Sequence, residues 1–67
     1  MDAAEKGQQY AKVFRKAGVL LSRGRIERAI EILKEGVAMA ERLGDHVMAR
    51  RFTAEIERAG KSPEPTE

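Results

Sequence analysis

Chemistry begins with reactive side chains held close together, and this 67-residue chain offers few of them. It has no cysteine and a single histidine, His46. Glu27, Glu31 and Glu35 recur every four residues, which on a helix stacks them along one edge. Carboxylates so placed hold metal ions in helical bundles when Glu-x-x-His motifs complete the ligand set. The residue three before His46 is Leu43, so that motif is missing. A structural zinc site draws on four ligands, mostly Cys and His, and cannot be assembled either. The three glutamates read as a solvated acidic edge, and His46 as a surface residue in the first turn of a helix. A glycine-rich phosphate loop is built between a strand and a helix, and no strand pattern is found. No enzyme activity, catalytic residue, cofactor or metal is expected.

The cations could do a different kind of work. Arg23, Arg25 and Arg28 cluster near one turn, and Arg50, Arg51 and Arg58 fall in the last helical segment. The run "AERLGDHVMARRFTAEI" resembles a helix-turn-helix, with Ala40 and Gly44 in the expected places. Such a motif seats its recognition helix on apolar residues six and nine positions after the glycine. Here those are Arg50 and Thr53, so the motif fails on packing grounds. The 13 basic residues also alternate with 11 acidic ones, for a net charge of only +2. Interspersed signs make a solvated helix surface more readily than a nucleic-acid footprint. A small basic helical nucleic-acid-binding protein stands as the alternative to protein interaction.

The elements that position these side chains are helices. Proline is absent before Pro63, and Gly24, Gly44 and Gly60 fall where apolar periodicity breaks. They predict three helices near residues 3–23, 25–43 and 46–59. Asp2 with Glu5 suits a capping box at the first, and Asp45 an N-cap at the third. Apolar stripes follow: Tyr10, Val13, Phe14, Ala17, Leu20 and Leu21 in the first helix. The second carries Ile26, Ala29, Ile30, Leu33, Val37 and Ala40, and the third Met48, Ala49, Phe52, Ile56 and Ala59. The short connections make consecutive helices antiparallel neighbours. Residues 1–60 form one all-α, three-helix domain, and the Pro-rich, apolar-free residues 61–67 are expected to be a disordered tail.

"GRIERAIEILKEGVAMAERLGD", Gly24 to Asp45, resembles the second half of a tetratricopeptide repeat of the variety ending in Leu-Gly-Asp. Gly24 matches the helix-breaking glycine, Ala29 the small residue of close helix packing, Leu33 the large apolar residue and Gly36 the small one that follows. Upstream, Ala17 and Leu20 match the small and apolar positions of the first helix. Val13 stands where the family prefers Trp or another large residue, and Lys16 replaces a usual Leu. The resemblance implies one repeat plus one further helix, spanning Tyr10 to Asp45 and beyond. Microtubule-interacting-and-trafficking domains are the second resemblance, carried by "RRFTAEIERAGK"; they too are three-helix bundles.

Both families imply binding of a peptide or helix. On the repeat alignment, the groove edge of the first helix carries Ala11, Phe14, Gly18 and Leu21, and the third helix adds Met48, Phe52 and Ile56. The Asn and Lys residues that clamp a peptide carboxylate in some repeats are missing, so an apolar helix or a second copy of the chain is the expected partner. A domain this small has marginal stability, and natural ones lean on disulfides, metals or partners. The second helix has a narrow apolar arc, from which it would leave residues of both neighbours uncovered. A homo-oligomer, with a dimer favoured, is therefore expected. The longest apolar run, "AGVLL", is far short of the roughly 20 residues of a membrane span. The N-terminal segment has no apolar core of the secretory kind, and a cysteine-free chain suits a reducing compartment. The expectation is a cytoplasmic protein without membrane association.

Overall fold

A computed structural model describes residues 2–61. It contains three helices, α1 (Ala3–Ser22), α2 (Ile26–Arg42) and α3 (His46–Gly60), and no strand among the described residues. The helix boundaries fall within two residues of those read from the sequence. The tail expected over residues 61–67 lies, from residue 62 onward, outside the described residues.

Each boundary has a local cause. Asp2 accepts a hydrogen bond from the Glu5 N–H at 2.9 Å, which opens α1. Only this half of the expected capping box is present. Gly24 and Gly44 adopt φ of 75° and 71°, in the left-handed region. At each, the glycine N–H bonds a carbonyl three residues back and the next N–H bonds one five residues back: Gly24 to Leu21 and Arg25 to Leu20, Gly44 to Glu41 and Asp45 to Ala40. This paired pattern satisfies the orphan carbonyls of a helix end. Asp45 then caps α3 by accepting from the Met48 N–H at 3.1 Å.

α2 packs against both neighbours, so α1 and α3 run in the same direction on either side of its core face. Phe52 and Leu33 are the largest fully buried side chains, and Ala17, Ala29, Ala40, Ala49 and Ala59 let the helix axes come close. α1 and α3 also meet directly: the Phe14 ring stacks on Phe52 at 4.5 Å, and Tyr10 meets Phe52 edge-on at 5.7 Å. Ile32, absent from the stripe read in the sequence, is buried, whereas Ile26, Ile30 and Val37 are half-buried. A helix between two neighbours buries two flanks, so its apolar face is wider than one stripe. Of the residues expected to be left uncovered, Phe52 is buried in a single chain, whereas Phe14, Leu21, Met48 and Ile56 are half-buried.

Gly36 shows the closest approach. A Cβ placed there would lie 2.7 to 2.9 Å from three carbons of the Phe52 ring. The small residue therefore seats an aromatic ring of α3. No helix of the described residues is long and apolar enough to cross a membrane.

Candidate interaction surface

α1 has two flanks on either side of its core stripe, and the structure gives them different characters. At about 100° per residue, Ala11, Phe14, Gly18 and Leu21 share the flank toward α3. Ala11 and Gly18 are exposed, and Phe14 and Leu21 are half-buried. Phe14 is already engaged within the chain, stacked on Phe52 and with the Arg51 guanidinium 5.9 Å from its ring centre. Gly18 has open space over it. On α3, Met48 is half-buried on the side of Phe52 that carries Arg51 toward Phe14. Ile56, also half-buried, lies one turn after Phe52 on the same face of α3 and packs against the core. Phe52 itself has no surface left for a partner. Of the seven residues expected to form one interaction surface, Phe52 belongs to the core, Ile56 packs against it, and the rest lie along a shallow α1/α3 strip.

The other flank of α1 holds a groove that the sequence reading did not identify. It lies between α1 and α2, with a volume of about 560 Å³, and Val19, Leu20 and Ile32 form its apolar lining. The same lining includes the cations Lys12, Arg15 and Lys16 from α1 and Arg28 from α2. Val19 is 45% exposed, one of the few large aliphatic side chains open to solvent. Arg28 pairs with Glu31 at 2.9 Å. The signal was available in principle: Lys12, Lys16 and Val19 follow helical spacing, as do Arg28 and Ile32. What the sequence lacks is the information that α1 and α2 meet along this edge.

The polar centre of the molecule is Asp45, at the end of the bundle away from the groove's Val19 and Leu20. One carboxylate oxygen caps α3; the other accepts from the Tyr10 hydroxyl at 3.1 Å and lies 3.4 Å from the Lys6 ammonium. The Met48 N–H, then Tyr10 and Lys6, hold the Asp45 carboxyl below the usual carboxylate range against a smaller opposing effect of burial. Burial, and secondarily the Asp45 carboxylate, pushes the Tyr10 phenol above its ordinary value. The Tyr10 and Lys6 contacts join α1 to the start of α3, and the Met48 contact caps α3 itself, so the cluster has a structural task. Among the described residues, no three acidic or histidine side chains converge as metal ligands would, and Glu31 of the acidic edge is taken up by Arg28. Comparison with protein-family models, with curated proteins and with solved structures found no match.

Proposed function

We propose that this chain is a non-catalytic protein-interaction module, one tetratricopeptide-like helical pair with an added third helix, which takes a helical segment of another protein in the α1/α2 groove. The observation that supports this is the groove's apolar lining of Val19, Leu20 and Ile32, with Val19 45% exposed on the flank of α1 away from α3. Covering an aliphatic side chain of this kind contributes up to about 1.5–3 kcal/mol when burial is complete, and a helix laid in a groove does this with few polar losses. A second reading, self-association along the α1/α3 strip, is favoured by the open space over Gly18 between half-buried Phe14 and Leu21.

The test is titration of the chain with short amphipathic helical peptides, read by fluorescence anisotropy. Saturable binding is expected, abolished by Val19→Glu with the melting temperature unchanged, because Val19 is a surface residue. Absence of binding by every peptide of the series, whatever its charge, would sink the groove reading.

A further inference from the structure

Resting on that reading, we propose that the occupant of the α1/α2 groove is an acidic amphipathic helix, its apolar residues on Val19, Leu20 and Ile32 and its carboxylates along the α1 wall. The argument is the sign and placement of charge. Lys12, Arg15 and Lys16 are all exposed and line one wall. None of the three belongs to an ion pair among the described residues. Lys12 and Lys16 are four apart, and Lys12 and Arg15 three apart, so they are neighbours on the helix surface, where like charges repel. The isolated chain carries that repulsion uncompensated. Carboxylates on an incoming helix would relieve it.

The opposite wall contributes little of either sign. Arg28 is paired to Glu31, and Glu35, three residues beyond Ile32 on α2, lies beyond ion-pair reach of the three α1 cations. The charge of the lining is therefore one-sided, and the partner's acidic residues should run along one flank of its apolar stripe. From Lys12 to Leu20 α1 rises about 12 Å, which matches roughly two turns of a partner helix. A nucleic acid fits the same cations less well. Its phosphates need no apolar lining, and no aromatic ring lines the groove on which a base could stack.

The experiment uses the whole chain and one fluorescein-labelled peptide backbone. Leucines occupy one helical stripe, and the flanking positions are all Glu, all Gln or all Lys. A fourth peptide has the Glu composition with its leucines scrambled, and labelled single-stranded and duplex DNA complete the set. The Glu peptide is expected to bind tightest and the Lys peptide weakest, with the gap narrowing as salt rises toward and above ~0.15 M. Lys12→Glu with Lys16→Glu should weaken the Glu peptide by roughly tenfold or more, strengthen the Lys peptide, and leave the Gln peptide unchanged. Circular dichroism of that variant should match the parent, since both positions are exposed. Equal affinity for the Glu, Gln and Lys peptides would overturn the acidic partner while leaving the interaction module standing. Equal binding of the scrambled peptide, or tighter binding of DNA, would overturn the acidic helix outright. Silence from all peptides would remove both readings together.

Discussion

At Gly36 a hydrogen stands where any other residue would drive a carbon into the ring of Phe52. The three ring contacts of an added Cβ all fall below 3.0 Å, and the ring cannot withdraw, because it is fully buried and held by Phe14 and Tyr10. Two effects oppose each other in Gly36→Ala. Helix propensity favours Ala by up to about 1 kcal/mol, whereas overpacking a tight site costs about 1–3 kcal/mol. The contact is severe enough for overpacking to win, so a net destabilisation on the order of 1 kcal/mol is expected. Gly18→Ala supplies the internal control. Nothing lies within 4 Å of its added Cβ, so only the propensity acts and the variant should gain up to about 1 kcal/mol. Urea melts of the pair decide it: stabilisation by both changes would mean that Phe52 does not need the space. The same scale holds the molecule's pH dependence. The folded-state pKa of Asp45 is lowered, so its stabilising effect is complete above the unfolded carboxylate pKa, about 3.9, and disappears as pH falls through the folded value. Tyr10 is shifted the other way: its contribution is complete below the unfolded phenol pKa, about 10, and is lost as pH rises through the folded value. Asp45→Asn keeps a good cap and should flatten the acid limb. Tyr10→Phe should remove the alkaline limb and shorten the acid one. An acid limb identical in Asp45→Asn and the parent would place the acid sensitivity elsewhere.

The helices themselves were largely legible. Asp2, Gly24, Gly44 and Asp45 mark boundaries through short-range rules, and each does its work with partners no more than five residues away. The two glycines turn the chain at positive φ, where a side chain costs about 1–2 kcal/mol. Gly44→Ala should therefore destabilise by about 1–2 kcal/mol and Gly44→Asn by less, since Asn tolerates this conformation at a helix end; equal melts for Ala and Asn would argue against a left-handed turn in solution. What periodicity could not supply was which flank of each stripe meets which neighbour. It placed Gly36 at a small-residue position but could not name Phe52, sixteen residues on, as the reason. It missed Ile32 because a single-stripe description assigns one face to a helix that serves two neighbours. It grouped Met48, Phe52 and Ile56 as one contact face, but could not tell that Phe14 and Tyr10 would close over Phe52 and leave it no exposed surface. Lys16 stood out only as a departure from the repeat pattern, where Leu is usual. In the fold that position opens into the α1/α2 groove, so the departure exchanges an apolar contact for a charge on the proposed binding wall.

For the whole molecule the question is what a single chain leaves uncovered. Phe52, Leu33 and the core alanines are buried by intramolecular contacts alone, whereas Phe14, Leu21, Met48 and Ile56 stay half-buried. We propose that the surface left over allows a weak self-association. Along the α1/α3 strip, Phe14 is engaged by Phe52 and Arg51, which leaves exposed Ala11 and Gly18 with half-buried Leu21. Small residues seven apart let a second helix approach closely, and an isologous pair about a two-fold axis would bring the same strip of each copy together. We expect a mass by light scattering that rises from monomer toward dimer with concentration. Gly18→Arg isolates this association from folding. The space above Gly18 is open in the single chain, and Arg is the better helix former, so the monomer should melt no lower than the parent. Between two copies, however, the same change would set a long cationic side chain into a close helix contact, with a like charge opposite. Loss of the concentration dependence with the melting temperature kept places the contact at this strip. Retention of it in Gly18→Arg moves the contact elsewhere, with Leu43 and Val47, 39% and 69% exposed near the α2–α3 turn, the next residues to reverse. A monomer mass at every concentration in the parent chain would end the self-association reading and leave the α1/α2 groove as the one proposed binding surface.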